Sequence, residues 1–286
     1  MQLCCNCEIM REERPNPPPR RTGEALRFSV FGLFTGLLSC TIGAAAAGDS
    51  ASFKTLRLEG NGVRWQTAAK GQQRVLSYAI VAQDVESAGA RNCGKMTKLD
   101  TLLSTSQIAP ETARAEIAAA FAMWEAVANI GFREAADPAT ADILIGAQLE
   151  PEGWAFANVF YDTLSTEPVK PISRALICLN PEKRWKVGFN GDLRTYDMRY
   201  TITHEIGHTI GLDHPSGGGQ IMGYRYEETF RSLQPGDVSG VVLLYGKRQP
   251  DSIIVASEPA NQARHASSVR LYAKRWGARA FTARSQ

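Results

Sequence analysis

Three of the four histidines in this 286-residue chain fall within eleven positions, His204-Glu205-Ile206-Gly207-His208-Thr209-Ile210-Gly211-Leu212-Asp213-His214, and no other feature constrains the fold as much. On a helix, positions 204 and 208 lie one turn apart on the same face, so both imidazoles reach one ion. Gly211 has no Cβ, which lets the helix stop and the chain turn until His214 comes round as a third ligand. Three neutral nitrogen donors leave a fourth coordination position for water, the arrangement of a catalytic zinc. Glu205 adjoins the first ligand and is placed to act as the base. Incidental histidines on an amphipathic helix would explain a bare H-E-x-x-H. They do not explain a third histidine and a glycine at these offsets in so histidine-poor a chain.

A chain of this length with 44% apolar residues can bury one good catalytic core plus appendages. The net charge of +3 argues against a dedicated nucleic-acid binder, and the charge is unevenly spread. From Lys247 to Gln286 eight Lys/Arg stand against two acids, so the tail carries +6 and the remainder is near −3. That tail, 247–286, reads as a basic solvated appendage.

The N-terminus reads as an address. Arg20, Arg21 and Arg27 precede an apolar run from Phe28 to Ser39 and then small residues, as in a signal peptide covering 1–47. The run is too short for a membrane-spanning helix. An exported protein, secreted or periplasmic, is therefore expected. The competing reading takes Leu37-Leu38-Ser39-Cys40 as a lipobox, in which a lipidated Cys40 would anchor the protein to a membrane. Export leaves Cys93 and Cys178 in the mature chain, where one disulfide is expected and two buried thiols are the alternative.

After a short N-terminal segment, 48–72, the β-rich stretch Arg74–Val81 reads as a strand, and the polar stretch Gln83–Ser106 as an excursion loop. Residues 110–129 read as an amphipathic helix from the spacing of Ile117, Phe121, Trp124 and Ala128 behind Pro110. Ala141–Gly146, Ala155–Tyr161 and Arg174–Leu179 read as further strands.

His204–His214 matches the metzincin signature H-E-x-x-H-x-x-G-x-x-H, and Gln220-Ile221-Met222-Gly223 resembles the Met-turn of that group. The matrixin branch is the nearest likeness, since Met222 follows the third histidine at short distance and Leu233–Gly246 resembles its closing helix. The likeness covers residues 73–246. It implies an α+β zincin fold, with a twisted mixed sheet, an active-site helix and two further helices. It also implies one catalytic zinc on His204, His208 and His214, Glu205 as catalytic base, and Met222 beneath the metal. Protein or peptide substrates would lie along the edge strand Ala155–Asn158, with a pocket walled by Gly223–Arg231 that favours an apolar side chain on the primed side. A monomer is expected.

Several features depart from matrixins. Outside the triad only His265 remains, so a second, structural zinc is not expected, and without an Asp-rich loop at calcium spacing Ca2+ stays open. Arg91-Asn92-Cys93-Gly94 echoes the latency cysteine but falls after the first catalytic strand. Tyr224 and Pro215 look like the astacin and serralysin branches, in which such a tyrosine approaches the metal or the oxyanion; a tyrosine lining the pocket is the alternative. A different class, a zinc-holding adhesion or interaction module without peptidase activity, would be expected to lose Glu205 or a ligand. All four residues are present.

Overall fold

The computed structural model describes residues 52–70 and 72–249, together with the backbone of 253–256. The leader with Cys40, and the tail beyond residue 256, lie outside the described residues. Among those described, no helix is long and apolar enough to cross a membrane.

Five strands build the sheet: β1 Gln72–Ile80, β2 Ile130–Glu134, β3 Ile143–Gln148, β4 Ala155–Tyr161 and β5 Lys170–Leu179. Their spatial order is β2–β1–β3–β5–β4. All run parallel except β4, which pairs antiparallel with β5 (Phe156 opposite Cys178, Asn158 opposite Leu176). The inner strands are covered on both faces, which is why β3 and the second half of β5 are apolar runs with no alternation. Two short strands fill the flanks: Asn61–Arg64, whose last two residues lie beside Lys170–Pro171, and Ile253–Ala256 beside Gln72–Val75. The beginning of the basic tail thus adds a strand to the sheet.

Among the described residues four α-helices accompany the sheet: α1 Asp100–Ser106, α2 Pro110–Glu125, α3 Met198–Thr209 and α4 Pro235–Tyr245. Helix α2 begins on Pro110 and buries Ala113, Ile117, Ala120, Phe121 and Trp124, the stripe expected from the sequence. It ends four residues earlier than its apolar spacing suggests, because Val127 and Ala128 turn back on the Trp124 carbonyl to feed β2. Phe121 stacks on Tyr78 of β1 at 4.1 Å. Fully buried aromatics of this kind contribute about 2–3 kcal/mol each by area.

The excursion between β1 and α2 is not all loop. Val85–Glu86 pairs with Lys95–Thr97, Lys95–Thr97 continues onto the end of β3, and α1 adds a third helix to the two expected beside α3. Leu102 and Leu103 are buried and drive that helix despite its Ser/Thr content. Gln107, at φ +56°, ends it.

The sheet therefore has two cores. On one face α2 and α3 pack against Leu76, Tyr78, Ile143, Ile145 and Ile177. On the other, the excursion covers Ala79, Leu144, Phe156 and Leu176 with Met96 and Cys93, and a disulfide joins Cys93 to Cys178 of β5.

Candidate metal centre

Helix α3 starts at Asp197, whose carboxylate accepts the Tyr200 amide at 2.9 Å, a cap worth about 1 kcal/mol. It presents His204 and His208 one turn apart. At its end Gly211 adopts φ +98°, where a side chain is strained, and a Cβ there would stand 2.6 Å from the Val63 carbonyl. The last turn is closed from outside the helix. The Tyr245 hydroxyl donates to the Ile210 carbonyl at 2.7 Å, and the Trp65 indole donates to that of Thr209 at 2.8 Å. Beyond the turn, Leu212–Asp213 pairs antiparallel with Lys54–Thr55 and delivers His214.

The three rings then converge. Nε2 of His204 lies 3.1 Å from Nε2 of both His208 and His214. On the far side of each helical histidine, Nδ1 faces a carbonyl oxygen: Ile221 at 2.6 Å for His204 and Leu212 at 2.9 Å for His208. A carbonyl only accepts, so Nδ1 carries the proton and Nε2 is left with its lone pair facing the common point. Bare lone pairs at 3.1 Å repel one another unless a cation lies between them. Four-coordinate zinc with nitrogen at 2.0–2.1 Å calls for neighbouring nitrogens about 3.3 Å apart, so the donor set fits that ion. Burial favours the neutral rings that bind metal, lowering the pKa to about 3 for His204 and about 4 for His208, with His214 lowered as well.

Glu205 is fully buried and sits 100° round the helix from His204, on the flank of His208. Asp213, next to the third histidine, accepts the His214 amide at 2.8 Å and pairs with Lys54 at 2.6 Å. Tyr224 stacks on the His214 ring, with centroids 4.0 Å apart and 22° between planes, and is half-exposed.

Met222 lies under the helix and meets Gly207. A Cβ on Gly207 would stand 2.2 Å from the Met222 sulfur, so this glycine between the two helical histidines is the seat of the thioether. The turn carrying Met222 is fastened by Asp237 of α4, whose carboxylate accepts the amides of Ile221, Met222 and Gln234. Burial raises the Asp237 pKa against the pull of those three bonds.

The segment after Met222 is held by charge. Arg231 donates to Asp197 and pairs with Glu116 of α2, which also takes a two-pronged contact from Arg199. The structure brings the three histidines named from the sequence together and places Tyr224 against His214 and Met222 against Gly207, while Gly207, Asp237 and this network are not read from the sequence. A signal existed for Gly207, since a glycine inside an otherwise helical motif asks for a close neighbour.

The sequence profile of the matrixin family matches residues 97–246. Among curated proteins, the chain is 29% identical over 153 residues to human matrix metalloproteinase-19, covering 51% of this chain and 28% of that protein. It is 32% identical over 161 residues to metalloendoproteinase 1-MMP of Arabidopsis thaliana, covering 53% and 41%. To human stromelysin-3 it is 29% identical over 166 residues, covering 54% and 31%. The aligned region thus spans only about a quarter to two fifths of these relatives.

Proposed function

The chain belongs to the matrixin family, and on that premise we propose that it is a zinc metalloendopeptidase acting on extracytoplasmic proteins, with His204, His208 and His214 holding zinc through Nε2. The observation that carries this reading is the convergence of the three rings, with Nδ1 of both helical ligands committed to backbone carbonyls. Bound zinc lowers the pKa of a water and polarises the scissile carbonyl. Glu205 takes the proton of the attacking water and returns it to the leaving amine, so no covalent intermediate is required. Tyr224 steadies the His214 ring by stacking, and its hydroxyl serves as donor to the developing oxyanion. The substrate lies extended along β4, which pairs with β5 alone among the described residues.

The test is cleavage of a quenched peptide library by the purified protein and by Glu205→Ala, with zinc measured in both. Equal zinc, with activity about 10²–10⁴-fold lower in the variant, supports the assignment. Zinc in both and cleavage in neither would turn the reading to a zinc-holding interaction module. No zinc in either defeats it.

A further inference from the structure

Strand β4 is bonded to β5 alone among the described residues, and its outer edge is the one proposed above to receive substrate. With bonds on a single edge, its position depends on what packs against its faces. The side chains alternate between those faces. Ala155, Val159 and Tyr161 enter the core shared with α2 and α3, while Phe156 and Phe160 enter the core covered by the excursion between β1 and α2. In the half Ala155–Asn158 the side chains on the helix side are those of Ala155 and Ala157, which have little area to bury. The firm hold on that half therefore comes from the excursion.

The disulfide joins Cys93 of the excursion to Cys178, which stands opposite Phe156 on one side and Gly146 on the other. The excursion is thus seated on a row of residues that crosses β3, β5 and β4. At the β3 end the approach is close enough to require glycine, since a Cβ on Gly146 would stand 2.7 Å from the Val81 side chain and 2.9 Å from the Thr97 carbonyl oxygen. At the β4 end the Cys93 sulfur lies 3.4 Å from the Phe156 carbonyl oxygen, and the Cys93 amide donates to the Asn158 side chain at 3.1 Å. Asn158 is 1% exposed. A slip of β4 by one residue would turn that buried amide away from its partner, so the bond fixes the register. The excursion also holds the approach to β4. Asn92 donates to Glu152 at 2.8 Å, Lys95 pairs with Glu150 at 2.8 Å, and the Leu149 amide donates to the Lys95 carbonyl at 3.0 Å.

We infer that the excursion is a positioning element for substrate: through the Cys93–Cys178 disulfide and the bond from Cys93 to Asn158 it presets β4 in the register and position at which an extended peptide pairs with the outer edge. The inference rests on the peptidase reading and adds what makes its substrate strand ready. A preset strand need not be ordered when substrate arrives. Without that hold, ligands that extend along β4 lose affinity, and ligands that touch only the metal do not.

The test compares three zinc-loaded full chains: wild type, the double variant Cys93→Ala/Cys178→Ala, and Asn158→Leu, which keeps the disulfide and removes the acceptor. Calorimetry measures acetohydroxamate, which reaches only the metal, and a tetrapeptide hydroxamate long enough to lie along β4. Quenched peptides give KM and kcat. Both variants should bind acetohydroxamate as wild type does and the tetrapeptide hydroxamate about tenfold more weakly, with KM raised by about as much and kcat little changed. Equal binding of the tetrapeptide hydroxamate by all three proteins overturns the inference. So does an equal loss for both ligands, the mark of general damage to the fold, or a wild type that gains nothing from the longer ligand. Should one variant not fold, the other decides; should neither fold, the excursion holds the fold itself and the inference falls. If the ligand difference appears and no peptide is cut, the peptidase reading falls and the positioning of β4 stands. If wild type binds neither hydroxamate and cuts nothing, both fall.

Discussion

The two sides of the His204 ring are built from different materials. On the metal side, position is set by bonds to the main chain, with the Ile221 and Leu212 carbonyls turning two rings and the Asp237 carboxylate pinning two amides of the Met222 turn. On the pocket side it is set by buried charge, with Glu116, Asp197 and Glu228 facing Arg199, Arg231 and Lys186. Main-chain bonds leave the side chain little latitude, because the backbone that offers them is itself locked into helix and turn. Charge pairs depend on side chains alone, and a few substitutions can redraw them. The metal side is therefore fixed largely by the backbone, and the pocket side by side chains.

Acid should separate the two most sharply. Burial lowers the pKa of His204 from 6.5 to about 3 and that of His208 from 6.5 to about 4. Below 6.5 the unfolded chain binds the additional protons, so the stability of zinc-depleted protein is complete above that pH and is lost as the pH falls toward 4 and then 3. The slope is up to about 1.4 kcal/mol per pH unit for each ring. Urea unfolding of the zinc-depleted protein between pH 7.5 and 4 reads it out, and a flat profile would break the account of the metal side.

Next in size is Arg231→Met. It leaves Asp197, fully buried, short of a counter-charge, while Glu116 keeps Arg199 and Arg231 itself is 27% exposed. Removing one member of a buried pair costs about 3–5 kcal/mol, and that partial exposure points to the low end. Wild-type stability in this variant would show that charge does not hold the pocket side.

The smallest effect sharpens the metal side. Gly207→Ala drives a methyl into the Met222 sulfur and should cost about 1–3 kcal/mol in thermal or urea melts, together with weaker zinc binding. Adding Met222→Ala should recover part of the loss, since the two share one contact. A simple sum of the two single effects would separate them.

This division also explains what could be read from the sequence. The three histidines sit at fixed offsets along one helix and its turn, so spacing alone singles them out as candidates. Strand β4 is a largely apolar run between turn signals, which mark it over Ala155–Tyr161. Glu116, Asp197 and Arg231 come together from positions 34 to 115 residues apart, and nothing local marks them as partners. In the sequence Glu116 looks like a solvated residue of α2; only the packing of α3 against α2 makes it a buried one. Helix α1 is not legible in the sequence because its Ser and Thr suggest loop, and the burial of Leu102 and Leu103 depends on elements far along the chain.

The fastening of the Met222 turn by Asp237 also bears on the order of synthesis. A chain leaving the ribosome presents His204, His208 and His214 before it presents Asp237 or Tyr245. Until those arrive, the amides of Ile221 and Met222 lack their acceptor and the Ile210 carbonyl lacks its donor. The metal side is thus among the last parts of the domain to set, and a nascent chain cannot complete it ahead of the rest of the domain.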